Sequence, residues 1–188
     1  AAWWRQHQVT GGLPDGIVAV QQRLVRAVGR GELPSGPVFV KVMAFPRAKD
    51  RLRYLMRALP AEHDAAMLAK VAAAGIPCPE VVAVRSARRF LLPHRSMLVL
   101  RALPVGTTTR TAAEQLAAEA RLAVRLLRGG VLHGDLNRGN FVALADGRLA
   151  VLDLQSARLR SPARCERARI GVAARLLREH RGPGDLDE

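Results

Sequence analysis

Two short stretches hold the residue types that phosphoryl transfer needs: His133-Gly134-Asp135-Leu136-Asn137-Arg138-Gly139-Asn140 and Val151-Leu152-Asp153-Leu154-Gln155. Moving a phosphoryl group from a nucleoside triphosphate to a hydroxyl requires a carboxylate that orients the hydroxyl and accepts its proton. It also requires oxygen ligands that hold Mg²⁺ on the phosphates. Asp135 and Asn140, five residues apart on a loop that follows a helix, supply one of each. Asp153 ends a strand that pairs back through a hairpin at Asp146-Gly147, which brings a second carboxylate to the same place. The remaining phosphate charge calls for a cation, and Lys41 stands in an otherwise apolar strand, Val38-Phe39-Val40-Lys41-Val42. Taken alone, Lys41 is also accounted for as an edge-strand lysine that snorkels to water. Beside the downstream loop, the phosphate role is the preferred reading.

Positioning these residues needs a scaffold, and the pattern along the chain supplies one. Residues 16–20, 23–28 and 37–43 read as short extended segments punctuated by Gly29, Gly31, Pro34 and Gly36, a small antiparallel sheet within the first forty residues. Basic residues run from Arg47 to Arg57 through a helix or turn. A helix over 61–73 then starts behind Pro60 and is stopped by Gly75, Pro77 and Pro79. Strands are expected over 81–84 and 96–100, joined through the basic stretch Arg85-Ser86-Ala87-Arg88-Arg89, with a hinge at Leu103-Pro104-Val105-Gly106. Thr111 with Glu114 three residues on forms a capping box for a helix that runs to Gly129-Gly130. After the hairpin, a last helix over 164–178 precedes a Gly182-Pro183-Gly184 tail. The order predicts a β-rich half over 1–102, a mostly helical half over 103–188, and a cleft between two lobes of one domain.

Composition narrows the function classes. The 188 residues are 49% hydrophobic, enough for a core, with 30 Lys+Arg against 16 Asp+Glu and a net charge of +14. All but Lys41, Lys49 and Lys70 of the basic residues are arginine, which fits either a solvated arginine surface or attraction to an anionic partner. Cys78 and Cys165 match no metal-ligand spacing and suit a reducing compartment. No long apolar run or export signal is visible, so a cytoplasmic location is expected. Aromatics at 4% are too scarce for base stacking, and nucleic acid is disfavoured as a partner.

The block from His133 to Asn140 resembles the catalytic loop of the protein-kinase-like fold in its His-Gly-Asp form, with Asp153-Leu154-Gln155 standing where kinases carry Asp-Phe-Gly. More narrowly, Val40-Lys41-Val42, the basic run 47–55, the helix from Ala61 and Ala74-Gly75-Ile76-Pro77-Cys78-Pro79 resemble the bacterial lipopolysaccharide kinase family, the Kdo and heptose kinases. The similarity covers about residues 35–178. It implies an α+β, two-lobed kinase fold and the cofactors ATP and Mg²⁺. It further implies Lys41 on the phosphates, Asp135 as catalytic base, Asn140 and Asp153 as metal ligands, and His133 as support of the loop. The helical acid that pairs with the strand lysine falls by register on Asp64, with Glu62 as competitor.

Several positions depart from that pattern. No Gly-x-Gly-x-x-Gly loop is present, and Gly29, Gly31 and Gly36 serve either as a loose phosphate cover or as plain turns. Gly134 replaces the arginine that reads a phosphorylated activation loop, and Gln155 replaces a glycine. An acid expected near Ile170-Gly171 of the last helix is absent, which predicts looser support of the catalytic loop. Thirty-five residues follow Asp153, too few for a peptide-docking lobe. The expected acceptor is therefore a sugar hydroxyl of an anionic glycolipid. The run Arg47, Arg51, Arg53 and Arg57 reads equally as a solvated helix face or as a site that meets an anionic glycolipid and membrane surface at the cytoplasmic face of the inner membrane. An aminoglycoside or amino-sugar kinase and an inactive pseudokinase scaffold are the alternatives. The first fits the positive charge poorly, and the second fits poorly with the joint presence of Lys41, Asp135, Asn140 and Asp153.

Overall fold

The computed structural model describes residues 2–180. The Gly182-Pro183-Gly184 tail lies outside the described residues. The chain divides into two compact units. The first holds the residues up to Ala66 together with Pro79–Ala102, and the second holds Met67–Cys78 and the chain from Leu103.

The first unit is a five-stranded antiparallel sheet in the order β1-β2-β3-β5-β4, with β1 at Val18–Gln22, β2 at Arg26–Leu33, β3 at Gly36–Ala44, β4 at Val81–Arg89 and β5 at Leu92–Arg101. Period-two alternation in β3 fixes which face each residue takes. Val38, Val40 and Val42 are buried on one side with Ala27, Met97 and Val99. Lys41, between them, takes the opposite face. Burying these valines on a central strand is what makes β3 rigid enough to present a lysine in a fixed direction.

Three features of this unit differ from the sequence expectation. A helix, α1 at Ala2–Thr10, precedes the sheet, and its Trp3 and Trp4 pack on the buried valine face with Leu13 and Ile17. Its signal is weak because nine residues without an acidic first turn carry little helix preference of their own, so tertiary packing decides. Gly29 and Gly31 are not turns, since both lie within β2. A Cβ on either would collide with Ile17, so their absent side chains make room for the segment laid across the sheet. The basic stretch 85–89 is no loop but the end of β4, an edge strand whose exposed arginines suit its unpaired side. It turns directly into β5 through Phe90 and Leu91, both with positive φ (51° and 65°).

In the second unit, α4 at Ala112–Arg128 begins with the capping box expected at Thr111. The Glu114 N–H donates to the Thr111 hydroxyl, and the Glu114 carboxylate accepts from the Thr111 N–H at 2.8 Å. Those bonds hold the Glu114 carboxyl below its ordinary range. The final helix, α5 at Pro162–His180, packs on α4. Glu119 of α4 is buried and accepts from Gln115 Nε2 at 2.8 Å and lies 2.9 Å from His180 Nε2 of α5. This polar tie inside an apolar helix pair was invisible in the sequence, because Glu119 on its own reads as a surface charge. Helix α2 at Ala48–Arg53 belongs to the first unit. Helix α3 at Pro60–Ala73 gives residues 60–66 to the first unit and the remainder to the second. Among the described residues no helix is long and apolar enough to cross a membrane.

Candidate functional site

Within the first unit the structure joins Lys41 to Asp64. Lys41 Nζ lies 3.0 Å from Asp64 Oδ2, with the side chains 14% and 1% exposed. The start of α3 explains the register. The Ala61 N–H donates to Ser96 Oγ of β5 at 2.9 Å, which docks the first turn against the sheet and aims Asp64 at the lysine strand. Glu62, the competitor, accepts from the Leu59 N–H at 2.9 Å and thereby caps the helix. A charged hydrogen bond with both partners so dry is strongly directional, and it holds the lysine extended.

Within the second unit, β6 at Val131–Leu132 pairs with β9 at Arg158–Leu159 and delivers the chain into His133. β7 at Phe141–Ala143 and β8 at Leu149–Val151 form the hairpin around Gly147. Between them the loop is fixed by backbone bonds. Asn140 Nδ2 donates to the Asp135 carbonyl at 2.6 Å, and Asn137 Nδ2 donates to the same oxygen at 3.2 Å. The Leu152 N–H donates to the Asn140 carbonyl at 2.8 Å, which places Asp153 one residue beyond the contact. Asp153 itself is left-handed (φ 50°, ψ 65°) and opens a 3₁₀ turn at Leu154–Ser156. Asn140 is thus bonded on one side to Asp135 and on the other to Leu152, the residue before Asp153.

His133 is the fastener. The Asp135 N–H donates to His133 Nδ1 at 3.2 Å, so Nε2 carries the proton and donates to the Leu152 carbonyl at 3.3 Å. Burial pushes the imidazole pKa down, with the Leu152 bond and the Asp153 and Asp135 charges opposing. The folded state therefore prefers neutral His133. Stability from this group is fully present above the unfolded-state value of about 6.5 and is lost as pH falls below it. The urea midpoint should decline between pH 7.5 and 5.5, and His133→Gln should flatten part of that decline. His7, also buried and also shifted down, supplies part of the remaining slope.

Support from α5 was misjudged in sequence, where the absent acid near Ile170-Gly171 predicted a loose loop. Ile170 is exposed and takes no part. Other residues of the same helix do the work from positions nearer its end. Glu179 accepts from the Arg138 N–H at 2.7 Å, and Arg175 lies 3.5 Å from the Gly134 carbonyl and 3.6 Å from Asp135 Oδ1. A Cβ at Gly134 would meet the Ser156 carbonyl at 3.0 Å, so the residue that lacks the usual arginine side chain also allows a close backbone approach.

The donor set fits a divalent cation on phosphates. Asn140 commits its amide nitrogen to the Asp135 carbonyl, so its amide oxygen is the hard donor that side chain keeps, and the Leu152–Asn140 backbone bond sets Asp153, the second oxygen-bearing residue, one position from that contact. Among the described residues there is no cluster of three or more His, Cys, Asp or Glu. One carboxylate and one amide are what a site needs when phosphate and water complete the shell.

A sequence model of the lipopolysaccharide kinase (Kdo/WaaP) family matches residues 21–181. No curated protein matched the chain. Among solved structures, a chain described as WaaP in complex with acyl carrier protein is similar with a TM-score of 0.60 and 19% identity, over 87% of this chain and 77% of that one. The likeness shows a shared fold of antiparallel sheet and helices. Because the family match spans most of the chain and takes in both the lysine strand and the catalytic-type loop, the protein belongs to the lipopolysaccharide kinase (Kdo/WaaP) family and is a kinase.

Proposed function

We propose that the protein transfers the terminal phosphoryl group of ATP to a sugar hydroxyl of a lipopolysaccharide inner core. In this reading the first unit acts as the nucleotide-binding lobe and the second as the catalytic lobe of a protein-kinase-like fold. When bound, Mg·ATP supplies an electrophilic phosphorus and a stabilised leaving group. Asp135 Oδ accepts the proton of the acceptor hydroxyl, Asn140 and Asp153 would hold the cation, and Lys41, kept extended by Asp64, would neutralise phosphate charge. The observation that carries the reading is the Asn140 amide bond to the Asp135 carbonyl, which locks the base and a metal ligand into one frame. The acceptor is an anionic glycolipid, and the kinase meets it at the cytoplasmic face of the inner membrane. The positive charge of +14 favours such a substrate over cationic amino sugars. Incubation with labelled ATP and a panel of dephosphorylated core glycolipids, aminoglycosides and amino sugars tests this. Label should enter the core glycolipids and require Mg²⁺. Label only in amino sugars would replace the acceptor class, and label in none of them would remove the reading.

A further inference from the structure

In the first unit four large apolar side chains stand in water: Leu52 (69% exposed) on α2, Met56 (91%) on the turn that follows it, and Phe90 (86%) and Leu91 (78%) on the β4–β5 turn. The turns are fastened to each other by one guanidinium. Arg88 donates through Nη1 to the carbonyls of Tyr54 at 3.0 Å, Leu55 at 3.1 Å and Leu91 at 3.3 Å, and through Nη2 to that of Arg57 at 2.7 Å. The tip of the β4–β5 hairpin and the segment after α2 therefore present one surface. Around it the sequence is almost purely basic. Residues 45–57 and 81–95 hold nine arginines and lysines against Asp50 alone.

Backbone geometry at the tip sharpens the point. A two-residue turn with positive φ at both positions favours Asn-Gly, and large side chains there are strained. Phe90 and Leu91 thus occupy a site where fold stability asks for other residues, and they are not used to fill a core.

We propose that this surface docks the kinase on an anionic lipid bilayer, with Phe90, Leu91, Met56 and Leu52 entering the interface and Arg53, Arg57 and Arg89 meeting lipid headgroups. The inference deepens the functional reading above and rests on it, because a membrane-resident acceptor is what brings the enzyme to a bilayer. An apolar wedge ringed by arginine has the two signals that interfacial binding combines: burial of apolar area and attraction to anionic lipid. Four side chains fall well short of the roughly 800 Å² per partner that a stable second copy needs. Arg51 is not one of the lipid contacts, since its Nε is given to the Phe45 carbonyl at 2.7 Å.

Co-sedimentation of the full chain with vesicles of phosphatidylethanolamine and phosphatidylglycerol, and with neutral phosphatidylcholine vesicles, tests the assignment. The wild type should partition onto the anionic vesicles. The double variant Phe90→Asn/Leu91→Gly, which suits the turn, should keep or raise the thermal midpoint while partitioning falls about tenfold or more. Leu52→Glu/Met56→Glu should show a comparable loss. Transfer to a deacylated, water-soluble acceptor should stay at the wild-type rate in both variants. The proposal is overturned if wild type ignores anionic vesicles, if the variants bind them undiminished, or if only heparin binding is seen. It is also overturned if the variants dissociate a dimer without changing vesicle binding. Failure of the kinase reading looks different: no transfer by any protein to any acceptor, with the vesicle results unaffected.

Discussion

Asp135→Ala is expected to lower phosphoryl transfer by about 10²- to 10⁴-fold, the range a positioned general base contributes, while nucleotide binding is largely kept. The geometry separates chemistry from scaffold at this residue. The Asp135 backbone is what the loop uses: its carbonyl accepts from Asn140 and Asn137, and its N–H donates to His133. The carboxylate is 74% exposed, with the Arg175 guanidinium 3.6 Å away. Removing it should leave the unfolding free energy from urea titration within about 0.5 kcal/mol of wild type, as for other exposed substitutions. The loss should appear in kcat with little change in nucleotide KM. Asp153→Ala provides the contrast, since it should weaken Mg²⁺-dependent nucleotide binding as well as transfer. Equal transfer by wild type and Asp135→Ala would remove the carboxylate from its role.

Why the loop could be read from sequence and its supports could not is a matter of range. Asp135, Asn140 and Asp153 lie within a few residues of one another or across one short hairpin, so spacing and the Asp146-Gly147 turn signal are enough to place them. The Thr111–Glu114 capping box is equally local, and the helix begins where it says. The sequence around Lys41 showed a lysine in an apolar strand, and the register that the family resemblance implied favoured Asp64 with Glu62 left as competitor; the ion pair selects Asp64. What stayed hidden depends on contacts distant along the chain. Helix α1 exists because Trp3 and Trp4 find the sheet, and Gly29 and Gly31 are small because Ile17 crosses them. The 85–89 stretch looks like a linker because its charges conceal an edge strand and its turn lacks glycine. Arg175 and Glu179 reach the 133–140 loop across about forty residues of sequence, a separation at which composition carries no signal.

The ion pair of the first unit gives the other large effect. Lys41→Met leaves the Asp64 carboxylate, 1% exposed, without its cation, and its Oδ1 already has no hydrogen-bond partner. Loss of one member of a buried pair is expected to destabilise by about 3–5 kcal/mol. Asp64→Ala should cost less, roughly 1–2 kcal/mol, because the long lysine stem at 14% exposure can swing its ammonium toward water. The double variant Lys41→Met/Asp64→Leu removes both charges and fills similar volume, so its urea midpoint should return close to wild type. Transfer should not return with it, because no packing substitute supplies a cation to the phosphates. That split between recovered stability and absent activity is what a purely architectural ion pair cannot produce. A stable double variant that transfers at the wild-type rate would assign Lys41 and Asp64 to the fold alone.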